Sequence, residues 1–69
     1  MSSHITIVDF TLRELEVISQ IQQGNTSQEI AEKLHLSQFT IKKHRENIGR
    51  KIGSHGKKEF RRFIRNFKT

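Results

Sequence analysis

Two helix-start signals of identical spacing constrain the fold of this chain most strongly. Thr11-x-x-Glu14 and Thr26-x-x-Glu29 each match a capping box, in which a threonine hydroxyl and a glutamate carboxylate satisfy backbone amides at a helix N-terminus. The chain contains no proline and no cysteine, so glycines and capping residues alone mark the element boundaries. The pattern predicts an all-α fold made of short helices.

The remaining boundary signals complete four helices. Gly24 and Gly53 stand where helices commonly end in a left-handed residue, and Ser37 is a third N-cap. Phe10 precedes the first N-cap as part of a hydrophobic staple. We predict helices at about 11–22, 27–34, 38–52 and 57–67. Residues 1–9 are predicted to form an N-terminal arm or the remnant of a linker, and residues 10–69 the folded domain.

Apolar residues repeat at helical spacing and define the predicted core. Glu14 is placed at the charged edge of the first helix, and the simplest role for it is capping plus a salt bridge to a neighbouring helix. His35, in the turn after the second helix, is a residue that tolerates a positive φ. The predicted buried positions are Val17, Ile18, Ile21, Ile30, Ala31, Leu34, Ile41, Ile48 and Ile52.

The second and third helices, joined by a short turn, have the helix-turn-helix pattern. With Ile41 turned to the core, the 100° step per residue places Lys42, Lys43, Glu46 and Arg50 on the opposite side of the third helix. Adjacent lysines on a helix are most often only a solvated face. Here they stand near the N-terminus of a helix that fits a major groove, where lysine can reach guanine O6 and N7 or phosphates.

The composition is consistent with a polyanionic binding partner and disfavours membrane-spanning, metal-binding and enzymatic classes of protein. The 69 residues suffice for one domain, and 13 Lys and Arg against 7 Asp and Glu give a net charge of +6. No apolar run is long enough to span a bilayer, and we expect a cytoplasmic protein. The histidines lack metal-ligand spacing, and no nucleophile–base pair is evident, so we expect neither a metal or cofactor nor enzymatic activity.

Several motifs occur along the chain at fixed offsets: Thr11-x-Arg13-Glu14-x-Glu16-Val17, Gly24, Glu29-Ile30-Ala31-x-x-Leu34, Ser37-x-x-Thr40-Ile41-Lys42-x-His44 and Ile48-x-x-Lys51-Ile52-Gly53. With these motifs the sequence resembles the LuxR/GerE-type helix-turn-helix family over residues 10–60. The resemblance implies a four-helix domain that binds double-stranded DNA, regulates transcription at the bacterial nucleoid and usually dimerises through its last helix. It implies no small-molecule ligand for this domain.

The resemblance also implies which residues contact DNA. Lys42, Lys43 and Glu46 fall at base-contacting positions, and Thr40 and Lys51 fall at phosphate-contacting positions. The full predicted set is Thr26, Ser27, Ser37, Gln38, Phe39, Thr40, Lys42, Lys43, Arg45, Glu46, Arg50 and Lys51.

Four positions depart from the family pattern. Glu46 is acidic, so it either accepts a hydrogen bond from a cytosine amine or repels phosphate. Phe39 replaces a residue that is usually polar, and it either contacts a thymine methyl group or folds back over Leu36. Gln28 replaces a basic residue and weakens a phosphate contact. Gly49, in the middle of the third helix, permits a close helix contact at some cost in helix propensity.

The fourth helix carries an aromatic stripe with the spacing i, i+3, i+4, i+7. We expect Phe60 and Phe63 in the core, with Ile64 and Phe67 further out. Because the family usually dimerises through its last helix, this spacing gives a candidate homodimer interface, which consists of Phe60, Ile64 and Phe67. Two alternatives are a protein-interaction module that heterodimerises through helix 57–67, and membrane-surface attachment through the cationic segment 57–69.

Overall fold

The computed structural model describes residues 9–68, and within them all regular secondary structure is helical, with no strand. The elements are α1 (Leu12–Gln22), α2 (Ser27–Leu34), α3 (Gln38–Ile52) and α4 (Lys57–Asn66). The predicted all-α class is confirmed. Apart from Asp9, the predicted arm over residues 1–9 lies outside the described residues, and the division into arm and domain stays a prediction.

Both capping boxes form as the sequence indicates. The Thr11 hydroxyl accepts a hydrogen bond from the Glu14 amide at 3.0 Å, and Glu14 Oε1 accepts one from the Thr11 amide at 2.9 Å. Thr26 and Glu29 repeat this exchange at 3.2 and 2.7 Å. α1 begins one residue later than predicted, because Thr11 is itself the extended N-cap.

The turn between α2 and α3 is set by a left-handed residue and a third N-cap. His35 has a φ of 59°, as its position predicts, and the Leu36 amide donates to the Ala31 carbonyl at 2.9 Å. Ser37 then accepts from the Thr40 amide at 3.1 Å and starts α3. These local bonds fix the angle at which α3 leaves α2.

Aliphatic side chains from all four helices form the core. Ile41 and Ile48 of α3 are completely buried, which fixes the rotation of that helix about its axis. Ile52 is only half-buried and packs against the edge of the core. The buried apolar residues are Phe10, Val17, Ile18, Ile30, Ala31, Ile41, Ile48 and Ile64.

The rotation of α4 differs from the prediction. Ile64 is 3% exposed and belongs to the core, so its predicted placement further out is wrong. Phe10, assigned from the sequence only to a staple, fills the space between α1 and α4. Its ring contacts Phe63 at 6.1 Å and Phe67 at 5.4 Å between centroids. The aromatic stripe of α4 therefore packs largely within the protomer.

A glutamine of α1 holds the end of α4 in this orientation. Gln22 Nε2 donates to the Ile64 carbonyl at 2.8 Å and to the Phe67 carbonyl at 2.6 Å. The Ile64 carbonyl lies in the last turn, where no amide of the helix reaches it, and the Phe67 carbonyl lies just beyond the end of the helix. Phe67 itself has extended backbone, and α4 ends at Asn66, one residue earlier than predicted.

An ion pair between a buried carboxylate and an exposed lysine connects α1 to α3. Glu14 is 4% exposed, more deeply placed than the predicted charged edge, and its Oε1 lies 2.6 Å from Lys51 Nζ. The predicted salt bridge to a neighbouring helix is confirmed. Burial by itself raises the pKa of Glu14, but Lys51, the Thr11 amide and His44 together outweigh it and hold the pKa below its usual value.

Replacing Glu14 by glutamine isolates the charge of this pair, because glutamine also completes a capping box. We expect Glu14→Gln to lower the free energy of unfolding at neutral pH by about 1–3 kcal/mol, since the Lys51 ammonium loses its anionic partner. The depressed pKa makes this contribution present above the ordinary carboxyl pKa and lost as pH falls through the lower, folded-state pKa. Thermal denaturation across pH 2–7 measures both effects.

Glu29→Gln is the matched control, because Glu29 holds the same capping-box position in α2 but is exposed and has no ion pair among residues 9–68. Its unfolding free energy should change by less than about 0.5 kcal/mol. Equal losses in the two variants, or a Glu14→Gln loss independent of pH, would contradict the assigned role of the ion pair.

Gly49 lies where α3 meets the start of α4. A Cβ built on Gly49 would stand 3.4 Å from Ser54 Oγ and 3.8 Å from Phe60 Cδ1, which are ordinary van der Waals distances. The backbone here is helical, so neither φ nor crowding requires glycine. Gly53, at the end of the same helix, has a φ of 69°, which disfavours any side chain.

We expect Gly49→Ala to stabilise the chain by about 0.5–1 kcal/mol, because alanine has the higher helix propensity and its methyl group fits. Gly53→Ala serves as the comparison and should destabilise, since it places a Cβ in left-handed backbone. Thermal denaturation of the two variants shows directly whether each substitution raises or lowers the stability. A destabilised Gly49→Ala would show that α3 and α4 need a closer approach than these distances indicate.

Candidate nucleic-acid interface

The exposed side of α3 is set by its buried side. With Ile41 and Ile48 in the core, four polar side chains project from the opposite face and are exposed. This surface, the α3 ridge, consists of Lys42, Lys43, Glu46 and Arg50. Three cations and one carboxylate make it a positively charged strip on a helix narrow enough for a major groove.

Arg50 is oriented by a neighbour on the same helix. Its guanidinium donates to the side-chain carbonyl oxygen of Asn47. The described contacts of Lys42 and Lys43 include no ion pair, so within residues 9–68 both ammonium groups face solvent. Their charge is available to an external anion.

The N-terminal end of α3 presents short polar groups and one aromatic ring. Ser37 and Thr40 hydroxyls lie 2.9 Å apart, and Gln38 is exposed. Phe39 is 71% exposed. Leu36 packs against the core, and the exposure of the Phe39 ring disfavours the alternative in which it folds back over Leu36.

Thr26 and Ser27 stand at the N-terminus of α2. The Thr26 hydroxyl is engaged with the Glu29 amide, while the side chain as a whole remains exposed. Ser27 is half-buried and Gln28 exposed. The positive end of the α2 dipole at this point favours an anion such as a phosphate.

Lys51 does not lie on the α3 ridge. It follows Lys42 by nine residues, which at 100° per residue turns it about half a revolution away. Its ammonium is held by Glu14. Lys51 therefore stabilises the fold, and a phosphate contact from it would have to share that ammonium with Glu14.

Arg45 turns from α3 toward α4 rather than toward solvent. Its guanidinium carbon lies 5.5 Å from the centre of the Phe60 ring, within the range of a cation–π contact. Burial lowers the pKa of Arg45, and the nearby Arg61 guanidinium lowers it further. Arginine nevertheless remains protonated at neutral pH, so two like charges face each other across the α3–α4 junction.

A cleft of about 690 Å³ opens at that junction. Phe60 and Gly49 contribute apolar surface to it, and Glu46 and Arg50 make it continuous with the α3 ridge. Among residues 9–68 neither Arg45 nor Arg61 forms an ion pair with a carboxylate. The cationic residues that line this α3–α4 cleft are Arg45, Arg50, Lys57 and Arg61.

Two of these residues, Lys57 and Arg61, were not predicted as site residues. Their spacing of four places them on one side of α4, a signal that the sequence does contain. What the sequence lacked was the direction of that side, since it depends on how α4 docks against α1 and α3. The structure brings both residues beside Arg45 and Arg50.

Other kinds of site find no support in the part of the chain that is described. Between residues 9 and 68, no three His, Asp or Glu side chains group as metal ligands. Over the same range no helix is both long and apolar enough to cross a membrane.

Comparison with protein families gives a match over residues 8–64 to the bacterial regulatory proteins of the luxR family. The chain belongs to the luxR family of bacterial regulatory proteins. The match includes α1, α2, α3 and most of α4, so the membership indicated by the sequence motifs is confirmed. In this luxR-family chain the helix-turn-helix comprises α2 and α3.

Three similar proteins are bacterial regulators. The chain is 41% identical over 46 residues to the transcriptional regulatory protein LnrK of Bacillus subtilis (strain 168), covering 67% of this chain and 21% of that protein. It is 44% identical over 45 residues to the uncharacterized transcriptional regulatory protein YxjL of the same organism, covering 65% and 21%. The uncharacterized response regulatory protein YgeK of Escherichia coli (strain K12) is 44% identical over 45 residues, covering 65% and 31%.

The luxR-family chain thus spans between about a fifth and a third of the length of these relatives. The similarity covers 46 residues of the first relative and 45 residues of each of the other two. No solved structure matches the chain at a significant level.

Proposed function

We propose that this chain binds double-stranded DNA sequence-specifically and thereby regulates transcription. The observation that carries the proposal is the α3 ridge, a cationic strip held outward by the buried Ile41 and Ile48. Membership of the luxR family and similarity to proteins named as transcriptional regulators support it. In this proposal α3 lies in the major groove, Lys42 and Lys43 contact guanine edges or phosphates, and Glu46 faces a cytosine amine.

Around the bases, phosphates would be contacted on both sides of the groove. The N-terminus of α2, with Thr26 and Ser27, would contact one backbone through its free amides. Ser37, Gln38 and Thr40 lie at the entry of α3 beside that backbone. The α3–α4 cleft would hold phosphate at the other end of α3, where Arg45 and Arg61 form no ion pair with a carboxylate of residues 9–68. Phosphate contacts of this kind position a protein on DNA without specifying sequence.

Lys42→Ala and Lys43→Ala should each weaken binding to a duplex selected from a random pool by about 5- to 100-fold, the range for losing a base contact. Both side chains are exposed, so the melting temperature should not change. Fluorescence anisotropy at several salt concentrations measures the affinity and its salt dependence.

Lys58→Ala is the control for these variants, because Lys58 is an exposed lysine on α4 that lines neither the ridge nor the cleft. It removes the same charge. Because exposed charges more than a Debye length apart are largely screened at physiological salt, we expect the affinity to change by less than about twofold. Unchanged affinity in both ridge variants would contradict the groove placement of α3.

The cleft makes a separate prediction about salt. Arg61→Gln should weaken binding equally for all duplex sequences and reduce the slope of log affinity against log salt by about 0.9, the value for one phosphate contact. Its neighbour Arg62 is exposed and does not line the cleft, so Arg62→Gln is a control with the same charge change one residue away. Equal slopes for the two variants would exclude phosphate from the cleft.

We also propose that two protomers bind one operator, with half-sites about one helical turn apart. Of the candidate interface residues, Phe60 and Phe67 remain half-buried at the surface of α4, whereas Ile64 is buried in the protomer and is no longer a candidate. Sedimentation equilibrium with the selected duplex decides the stoichiometry, and a strict one-to-one complex would exclude the dimer.

The two alternative functions, a heterodimer and membrane-surface attachment, both use the aromatic stripe of α4. Phe63 and Phe67 of that stripe pack on Phe10, and the parts of Phe60 and Phe67 left at the surface are the same ones that the homodimer would use. No observation in the described residues favours either alternative over DNA.

A further inference from the structure

Among residues 9–68, Phe39 is the aromatic residue that does not pack against the core. The chain has five phenylalanines. Phe10, Phe60, Phe63 and Phe67 all belong to or pack against the core cluster, whereas Phe39 is 71% exposed. Exposing so large an apolar surface to water is unfavourable, and the folded domain itself gains nothing from this ring.

The position of Phe39 on α3 limits what can cover it. It is the second residue of the helix, and Lys42 and Lys43 follow at i+3 and i+4 on the same exposed side. Helical side chains tilt toward the N-terminus, so the ring extends beyond the lysines at the leading end of the ridge. An apolar docking partner would have to tolerate two adjacent ammonium groups, and a nucleic acid is the partner whose charge suits them.

The chemistry of the major groove then selects one contact. Edges of guanine, adenine and cytosine offer hydrogen-bond donors and acceptors there, and the 5-methyl group of thymine is the apolar feature of the groove. A phenyl ring has no hydrogen-bonding group, so against the other bases it would displace water without replacing the lost hydrogen bonds. Against a thymine methyl group it buries apolar surface on both partners.

We propose that Phe39 is a specificity-determining residue that selects a base carrying a 5-methyl group, normally thymine, at one position of each half-site. This inference rests on the proposed DNA binding and adds a base preference to it. Lys42 and Lys43 supply attraction to the groove, while Phe39 supplies discrimination by shape and hydrophobicity.

Deoxyuridine differs from thymidine only by the missing 5-methyl group, so replacing thymidine by deoxyuridine tests the proposed contact between Phe39 and that methyl group alone. Each thymine of the selected duplex is replaced in turn by deoxyuridine, and affinities are measured by fluorescence anisotropy. At one position per half-site the unaltered chain should lose about three- to tenfold in affinity, the range for one buried methyl group. Placing 5-methylcytosine opposite guanine at that position should bind more tightly than unmethylated cytosine.

Phe39→Ala should bind the thymine and deoxyuridine duplexes equally, because the group that senses the methyl is gone. Since Phe39 is exposed, the variant should melt at the same temperature as the unaltered chain. Leu12→Ala is the matched control: Leu12, 82% exposed on α1, is the other large apolar side chain exposed within residues 9–68. That variant should retain the full deoxyuridine effect.

The outcomes separate this inference from the function on which it rests. A chain that selects and binds a duplex but is indifferent to every deoxyuridine replacement overturns the role of Phe39 alone. A deoxyuridine loss that persists in Phe39→Ala overturns it as well, because another residue then contacts the methyl. Failure to select any duplex overturns the proposed DNA binding and this inference together.

Discussion

The complete burial of Ile41 and Ile48 is the constraint on which the rest of this structure depends. These two side chains lie on one side of α3, and a helix that buries one side must expose the other. Their burial therefore decides that Lys42, Lys43, Glu46 and Arg50 form an outward ridge. Lys42 and Lys43 do not need an ion-pair partner within the protomer to hold this outward position. The placement of their charges toward solvent follows from the apolar packing on the opposite side of the helix.

Three further contacts restrict the rotation of α3 and α4 about that core. The Glu14–Lys51 pair joins the start of α1 to the end of α3 at 2.6 Å, so a cation that the family resemblance places on DNA also forms an ion pair within the fold. Phe10, just before α1, holds α4 by ring packing, and Gln22, at the end of α1, holds it by two hydrogen bonds. A domain this small has few buried residues, and polar contacts between helices therefore carry much of the orientation.

The basic residues divide into groups with different environments, which net charge cannot reveal. Lys42 and Lys43 are solvated and can meet an anion at little desolvation cost. Arg45 is half-buried on Phe60 with Arg61 beside it, so the two guanidinium groups repel each other in a partly apolar cleft. An anion entering the cleft would relieve that repulsion. In the proposed complex the ridge specifies bases and the cleft binds the backbone.

The sequence by itself determined the four helices almost to the residue, because capping boxes, the Ser37 N-cap, glycine ends and the left-handed His35 act over three or four residues. It also determined which side of α3 is exposed, since the alternation of apolar and charged residues that decides this lies entirely within that helix. Only the tertiary structure decided that Ile64 is buried, that Lys51 pairs with Glu14 and that Phe39 is left outside the core. Each of these depends on which side of one helix meets another. An amphipathic stripe restricts that choice but does not fix it, because several rotations of α4 bury similar apolar area, and long-range contacts such as those of Phe10 and Gln22 select one.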